Sequence, residues 1–117
     1  MKTKNNMKYT ENLTLNGYEP DAKFNKTEFE RNGNIEKIRN LIKANLSKTK
    51  HVYRDAPSSY VLKHKAETIL NTYITNGEFI YAMILEGYDV EKHRLNAYFN
   101  ISKKSFKALR LLAKNIE

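Results

Sequence analysis

The stretch RLNAYFNISKKSFKALRLL, residues 94–112, sets Lys103, Lys104, Lys107 and Arg110 on what reads as one short helix. Cations at helical spacing suit one chemistry above others, the neutralisation of successive phosphates of a nucleic acid. The stretch also has the layout of a helix-turn-helix. Leu95, Phe99, Ile101, Phe106 and Leu109 form the packing set of two crossed helices, Asn100 is the left-handed turn residue, and Ser102 caps an exposed second helix. On that reading the lysines meet phosphates, while Ser102, Ser105 and Lys104 reach base edges. Two features count against it: Asn96 stands where a small residue is usual, and the first helix is very short. A lysine-rich terminal helix that faces water gives the same pattern.

A second concentration of cations and rings runs through KTKHVYR and SSYVLKHKAE, residues 48–54 and 58–67. Rings stack bases and cations follow the backbone of a single strand, which makes Arg54, Tyr60, Lys63, His64 and Lys65 candidate nucleic-acid-binding residues. The plainer alternative is a solvated helix face with Tyr60 half in the core. Little in the chain suggests catalysis. His51, His64 and His93 are scattered, no carboxylate stands at a metal-ligand spacing such as HExxH, and TNGE and EGYD read as helix caps rather than phosphate loops. A non-enzyme without metal or cofactor is expected.

Composition points the same way. The 117 residues carry 21 Lys and Arg against 13 Asp and Glu, a formal charge of +8, which suits a polyanionic partner. Cysteine is absent, so neither disulfides nor thiolate metal sites are available. No apolar leader is evident and no run approaches the roughly 18 apolar residues of a membrane span, so the expectation is a cytoplasmic protein with no membrane partner.

These side chains need elements to hold them. Residues 1–33 are rich in Lys, Asn, Thr and Glu, with Tyr9, Tyr18, Phe24 and Phe29 at no regular period, and read as a flexible N-terminal arm whose first 26 residues are dispensable for folding. Residues 34–117 read as a helical domain. Ile35, Ile38, Leu41, Ile42 and Leu46 recur at three and four residues, after Gly33 as punctuator and Asn34 as N-cap. Ser58 or Ser59 caps a second helix through YVLKHKAETIL, and residues 71–74 break it. Thr75 and Glu78 have capping-box spacing for a third helix that ends at Gly87. DVEKHR reads as a loop or short extended piece, and a last helix covers residues 102–115. The expected class is all-α or mostly α, about four helices with a helix-turn-helix-like C-terminal part, where VYR or NAYFNI could supply a short β wing.

The run SSYVLKHKAETIL, YITNGEFIYAMILEGY, LNAYFNIS, within residues 58–105, resembles the shared core of small, mostly uncharacterised proteins of phages, plasmids and other bacterial mobile elements. Ser59, Tyr60, Leu62, Lys63, His64, Asn76, Gly77, Phe79, Gly87, Asn96, Phe99 and Asn100 carry the resemblance. The chain also resembles the small middle protein of the staphylococcal cassette chromosome, in keeping with a Lys-, Asn- and Ile-rich composition of the kind typical of AT-rich genomes. That protein partners an A-family-type DNA polymerase and can start primers with it. The resemblance implies a replication or priming accessory that binds single-stranded DNA and a larger replication protein such as a DNA polymerase. Two other classes stay open: a protein-binding inhibitor of a host defence or regulatory protein, and a helix-turn-helix transcription regulator.

Overall fold

The computed structural model describes residues 8–116. The described residues hold five helices, a helical turn at residues 8–10, and two antiparallel hairpins. In chain order they are β1 (Leu13–Thr14), β2 (Gly17–Tyr18), α1 (Lys26–Phe29), α2 (Asn34–Asn45), α3 (Ser59–Leu70), α4 (Asn76–Leu85), β3 (Val90–His93), β4 (Asn96–Phe99) and α5 (Lys103–Ile116).

The organising element is α4. Its reciprocal capping box is formed, with the Glu78 amide donating to Thr75 Oγ1 at 3.0 Å and the Thr75 amide to Glu78 Oε1 at 2.8 Å. Every residue from Asn76 to Ile84 is buried, the signature of a helix surrounded by protein rather than lying on its surface. Around it pack α2, α3, β2 and β4, while α5 lies across α3 and α2. Gly87 leaves the helix at φ 84°, as its composition predicted. Ser58 caps α3 by accepting from the Val61 amide, whereas Ser59 is fully buried and its Oγ accepts from the Ala97 amide of β4 at 3.1 Å. Asn34 does not cap α2. Gly33 takes the N-cap position, and the Asn34 side chain donates from Nδ2 to Tyr73 O at 3.1 Å.

Three expectations are overturned. The fold is mixed α and β, not all-α. In β4 the residues alternate half-buried and buried, with Ala97 and Phe99 inward, and pair with β3 in the register Val90↔Phe99 to His93↔Asn96. That period of two is a strand's, so the first helix of the expected helix-turn-helix does not exist. Asn100 makes no left-handed turn; the positive φ belongs to Arg94, at 55°, in the hairpin turn. Asn100 instead staples three segments, accepting from the Asp89 amide at 2.7 Å and donating to Thr49 O at 2.8 Å. The helix-turn-helix packing set dissolves accordingly: Phe99, Ile101 and Leu109 are fully buried, Phe106 is half-buried, and Leu95 is exposed.

The N-terminal arm is the third correction, for the described residues 8–33. Leu13, Tyr18 and Phe29 belong to the core, and Phe24, Phe29 and Tyr81 form a ring cluster with centroids 5.1 to 5.3 Å apart. The turn between β1 and β2 is wedged between α4 and the β3–β4 turn. Gly77 N donates to Leu15 O at 2.9 Å, Tyr18 N to Leu95 O at 2.9 Å, and Asn76 Nδ2 to Asn16 O at 3.1 Å. Gly17 and Gly77 make this approach possible: a Cβ on either would stand 2.2 Å from Leu95 O or 1.9 Å from Thr14 O. Residues 1–7 of the expected arm lie outside the described residues. Among the described residues no helix is long and apolar enough to cross a membrane.

Candidate nucleic-acid interface

Successive residues of an α-helix turn by roughly 100°, so spacings of four, three and four residues return to one face. On α5 these spacings collect Lys103, Lys107, Arg110 and Lys114 into a stripe roughly 16 Å long, at 1.5 Å per residue. Lys104 falls about a quarter-turn away. All five are exposed. Three like-charge pairs one turn apart each destabilise the helix by about 0.2 to 0.5 kcal/mol. Lys103 and Lys104 also oppose the dipole in a first turn that has no acidic residue. Such an arrangement works against the stability of the isolated chain and in favour of an anion.

The stripe faces α3. Lys65, Lys107, Arg110 and Lys114, with Leu111 and Ala113, line an open cleft of about 590 Å³. Its lining contains no carboxylate, and among the described residues none of the four cations has one within 4.0 Å. At the start of α5, outside that lining, the Tyr53 ring lies 5.2 Å from Lys103 Nζ. Burial raises the Tyr53 phenol above its usual pKa; Arg110 opposes that shift and Asp55 adds to it. Arg110 itself lies over the Phe106 ring at 5.8 Å. Cation–π contacts of this kind contribute about 0.5 to 1 kcal/mol each at exposed sites.

The residues singled out on α3 separate into two groups. Lys65 joins the basic cleft. Lys63, two residues earlier, points to the other flank and is only 7% exposed. Its ammonium pairs with Glu67 at 3.2 Å and sits 5.6 Å from the Tyr60 ring and 5.2 Å from the Tyr73 ring. A cation so enclosed cannot reach a phosphate, and Lys63 is a structural ion pair. His64 is exposed but engaged, with Nδ1 3.1 Å from Glu67 Oε1 and its ring against Tyr60 at 4.4 Å. Tyr60 is half exposed beside it, and Arg54 is exposed in the loop before α3. Ser102 and Ser105, expected at base edges, are occupied at the start of α5. Ser102 Oγ caps the helix at the Ser105 amide and meets Ser47 Oγ at 2.8 Å, and Ser105 Oγ accepts from the Ser47 amide.

Sequence reasoning passed over Tyr73, treated there as part of a helix break, and Asn76. The spacing of Tyr60, Lys63 and Glu67, three and then four residues, carried the signal that these side chains share a face. No family model, curated protein or solved structure matches this chain.

Proposed function

We propose that the protein binds single-stranded DNA, with the α3–α5 cleft on the sugar-phosphate backbone, and serves a mobile element as a replication or priming accessory alongside a larger protein such as a DNA polymerase. The observation that carries the binding is the set of four cations, Lys65, Lys107, Arg110 and Lys114, around one cleft without a carboxylate. A single strand fits better than a duplex. The first helix of a duplex-reading helix-turn-helix is absent, its place taken by β4, and the half-exposed Tyr60 ring stands on α3, the helix that supplies Lys65. The replication role rests on the resemblance described above.

Titrating a labelled oligonucleotide with the protein across a salt series tests the proposal. Neutralising about four phosphates of a single strand gives a slope near −3 in log affinity against log salt, or about 50-fold weaker binding on raising salt fourfold. Replacing Lys107, Arg110 and Lys114 with alanine should reduce that to about 3-fold. Salt-independent affinity, or an unchanged slope in the triple variant, would refute it.

A protein-binding reading, in which the chain inhibits a host defence or regulatory protein, is favoured by the other flank of α5. There Leu112 at 39% and Ile116 at 52% are exposed, and Leu111, at 59%, borders the basic cleft. Absence of oligonucleotide binding at low salt would leave that reading in place.

A further inference from the structure

We infer that Tyr73 is a stacking platform for a DNA base bearing an exocyclic amino group, received in the cleft on the flank of α3 opposite the basic stripe; this rests on the single-strand reading. Tyr73 is 72% exposed, the most exposed large ring or aliphatic side chain among the described residues. Yet its backbone is fixed on both sides. Its carbonyl accepts from Asn34 Nδ2 at 3.1 Å, and the next residue, the fully buried Ile74, donates its amide to Glu67 Oε2 at 3.1 Å. The backbone from which the ring projects is therefore fixed. One side of the ring faces the Lys63 ammonium, which Glu67 neutralises and which the Tyr60 ring flanks, so the two rings are arranged about one immobile charge.

The rings stand at a cleft of about 380 Å³ whose far wall includes the side chains of Leu15 and Leu95. Among the other lining side chains, Asn16 and Thr75 carry donors as well as acceptors, while Asn76 and Glu19 offer acceptors. Asn76, 7% exposed, donates through Nδ2 to Asn16 O and Asn96 Oδ1, but its Oδ1 has no hydrogen-bond partner. Glu19 has one carboxylate oxygen on the Thr14 hydroxyl. A buried acceptor without a donor is rare in folded proteins; this one is closed to solvent, so a ligand's amino group meets it only if the Asn76 side chain turns toward the cleft. An aromatic platform facing acceptors suits a planar ligand with an amino group, as cytosine and adenine have and thymine has not. Glu19 repels phosphate from this flank, while Lys65 and the α5 stripe attract it to the other. A strand crossing the ridge of Tyr60 and His64 would thus present its backbone to one side and a base to the other.

The test uses the full chain and oligonucleotides of about ten nucleotides, within the usual site size. Tyr73→Ala should weaken binding of oligo-dC and oligo-dA about 5- to 150-fold, the range of one base–ring stack, without changing the salt slope. Tyr73→Phe should bind as the parent does, and oligo-dT should bind more weakly than oligo-dC. Because the chain has no tryptophan, Tyr73→Trp supplies a single reporter whose emission should be quenched by oligo-dC. Parent-like binding by Tyr73→Ala with the salt slope intact would overturn the platform alone, as would unquenched emission at saturation. A parent that binds no strand would overturn the platform together with the proposed function. Quenching by deoxycytidine monophosphate at the same concentration as by oligo-dC would also overturn it, assigning the cleft to a free nucleotide.

Discussion

Replacing Gly77 with alanine sets two physical effects against each other. Gly77 lies within α4, and in an exposed helix glycine to alanine stabilises by about 0.4 to 1 kcal/mol, through helix propensity and a less flexible unfolded chain. In this fold the new Cβ would stand 1.9 Å from Thr14 O, 2.8 Å from Leu15 Cα and 2.9 Å from Leu15 C. All three are backbone atoms, so no side-chain rotation relieves the overlap. The β1–β2 turn must move by more than an ångström, and the bond from Gly77 N to Leu15 O, at 2.9 Å, is broken or stretched. Overpacking costs about 1 to 3 kcal/mol and the hydrogen bond about 1 more, which outweighs the propensity gain and leaves a net loss of about 2 to 3 kcal/mol. For a chain of this length that is a fall in Tm of about 8 to 12 °C, measured by circular dichroism at the helical signal. Gly33→Ala is the control. Its Cβ meets nothing within 4 Å, and only the φ of 76° opposes it, at about 1 kcal/mol. A Gly77→Ala protein that melts at or above the parent's temperature would refute the wedged turn.

Removing residues 1–26 should abolish the cooperative melt, because Leu13 and Tyr18 leave the core with them; a retained transition near the parent's midpoint would mean the hairpin is dispensable. Lys63→Met should cost about 1 to 3 kcal/mol in denaturant titration, since Glu67 loses its ion pair but keeps the Ile74 amide and His64. Its DNA salt slope should match the parent's, and a shallower slope at unchanged stability would return Lys63 to the phosphate-binding set. Alkali should unfold the protein in a defined window. Burial, with Glu86 second, raises the Tyr88 phenol from 10.0 to about 12, so the folded state holds that proton more tightly than the unfolded state does. The resulting stability is present below pH 10 and is lost as pH rises toward 12, amounting to about 2 to 3 kcal/mol. Tyr88→Phe should flatten that part of the profile, followed by phenolate absorbance alongside ellipticity.

Helices α2, α3, α4 and α5 were legible in the chain because their evidence is local: a stripe at three and four residues, a serine cap, a threonine–glutamate box. The hairpins were not. Two-residue strands such as Leu13–Thr14 and Gly17–Tyr18 have no room to show a period, and what holds them is contact with Asn76, Gly77 and Leu95, far along the sequence. In NAYFNIS, the alternation of Ala97 and Phe99 with polar neighbours was present but competed with a familiar turn-and-helix layout. Of the candidate residues, Lys107, Arg110 and Lys65 converge on the cleft, with Lys103 on the same stripe, because they depend on helix spacing and one helix contact. Lys63 was misjudged because its burial depends on Tyr73, which belongs to the next segment rather than to its own helix.

The wedged turn also bears on how the protein is made. Leu15 and Tyr18 leave the ribosome before their seats on Gly77 and Leu95, which emerge some 60 to 80 residues later. At synthesis rates of about 5 to 20 residues per second, the delay is roughly 3 to 16 seconds, far longer than helix or hairpin formation takes. Through that interval Leu13 and Tyr18 travel on the nascent chain with no core to enter. The hairpin is thus placed only after residues far behind it have emerged, and the wait is set by translation speed rather than by the intrinsic folding rate.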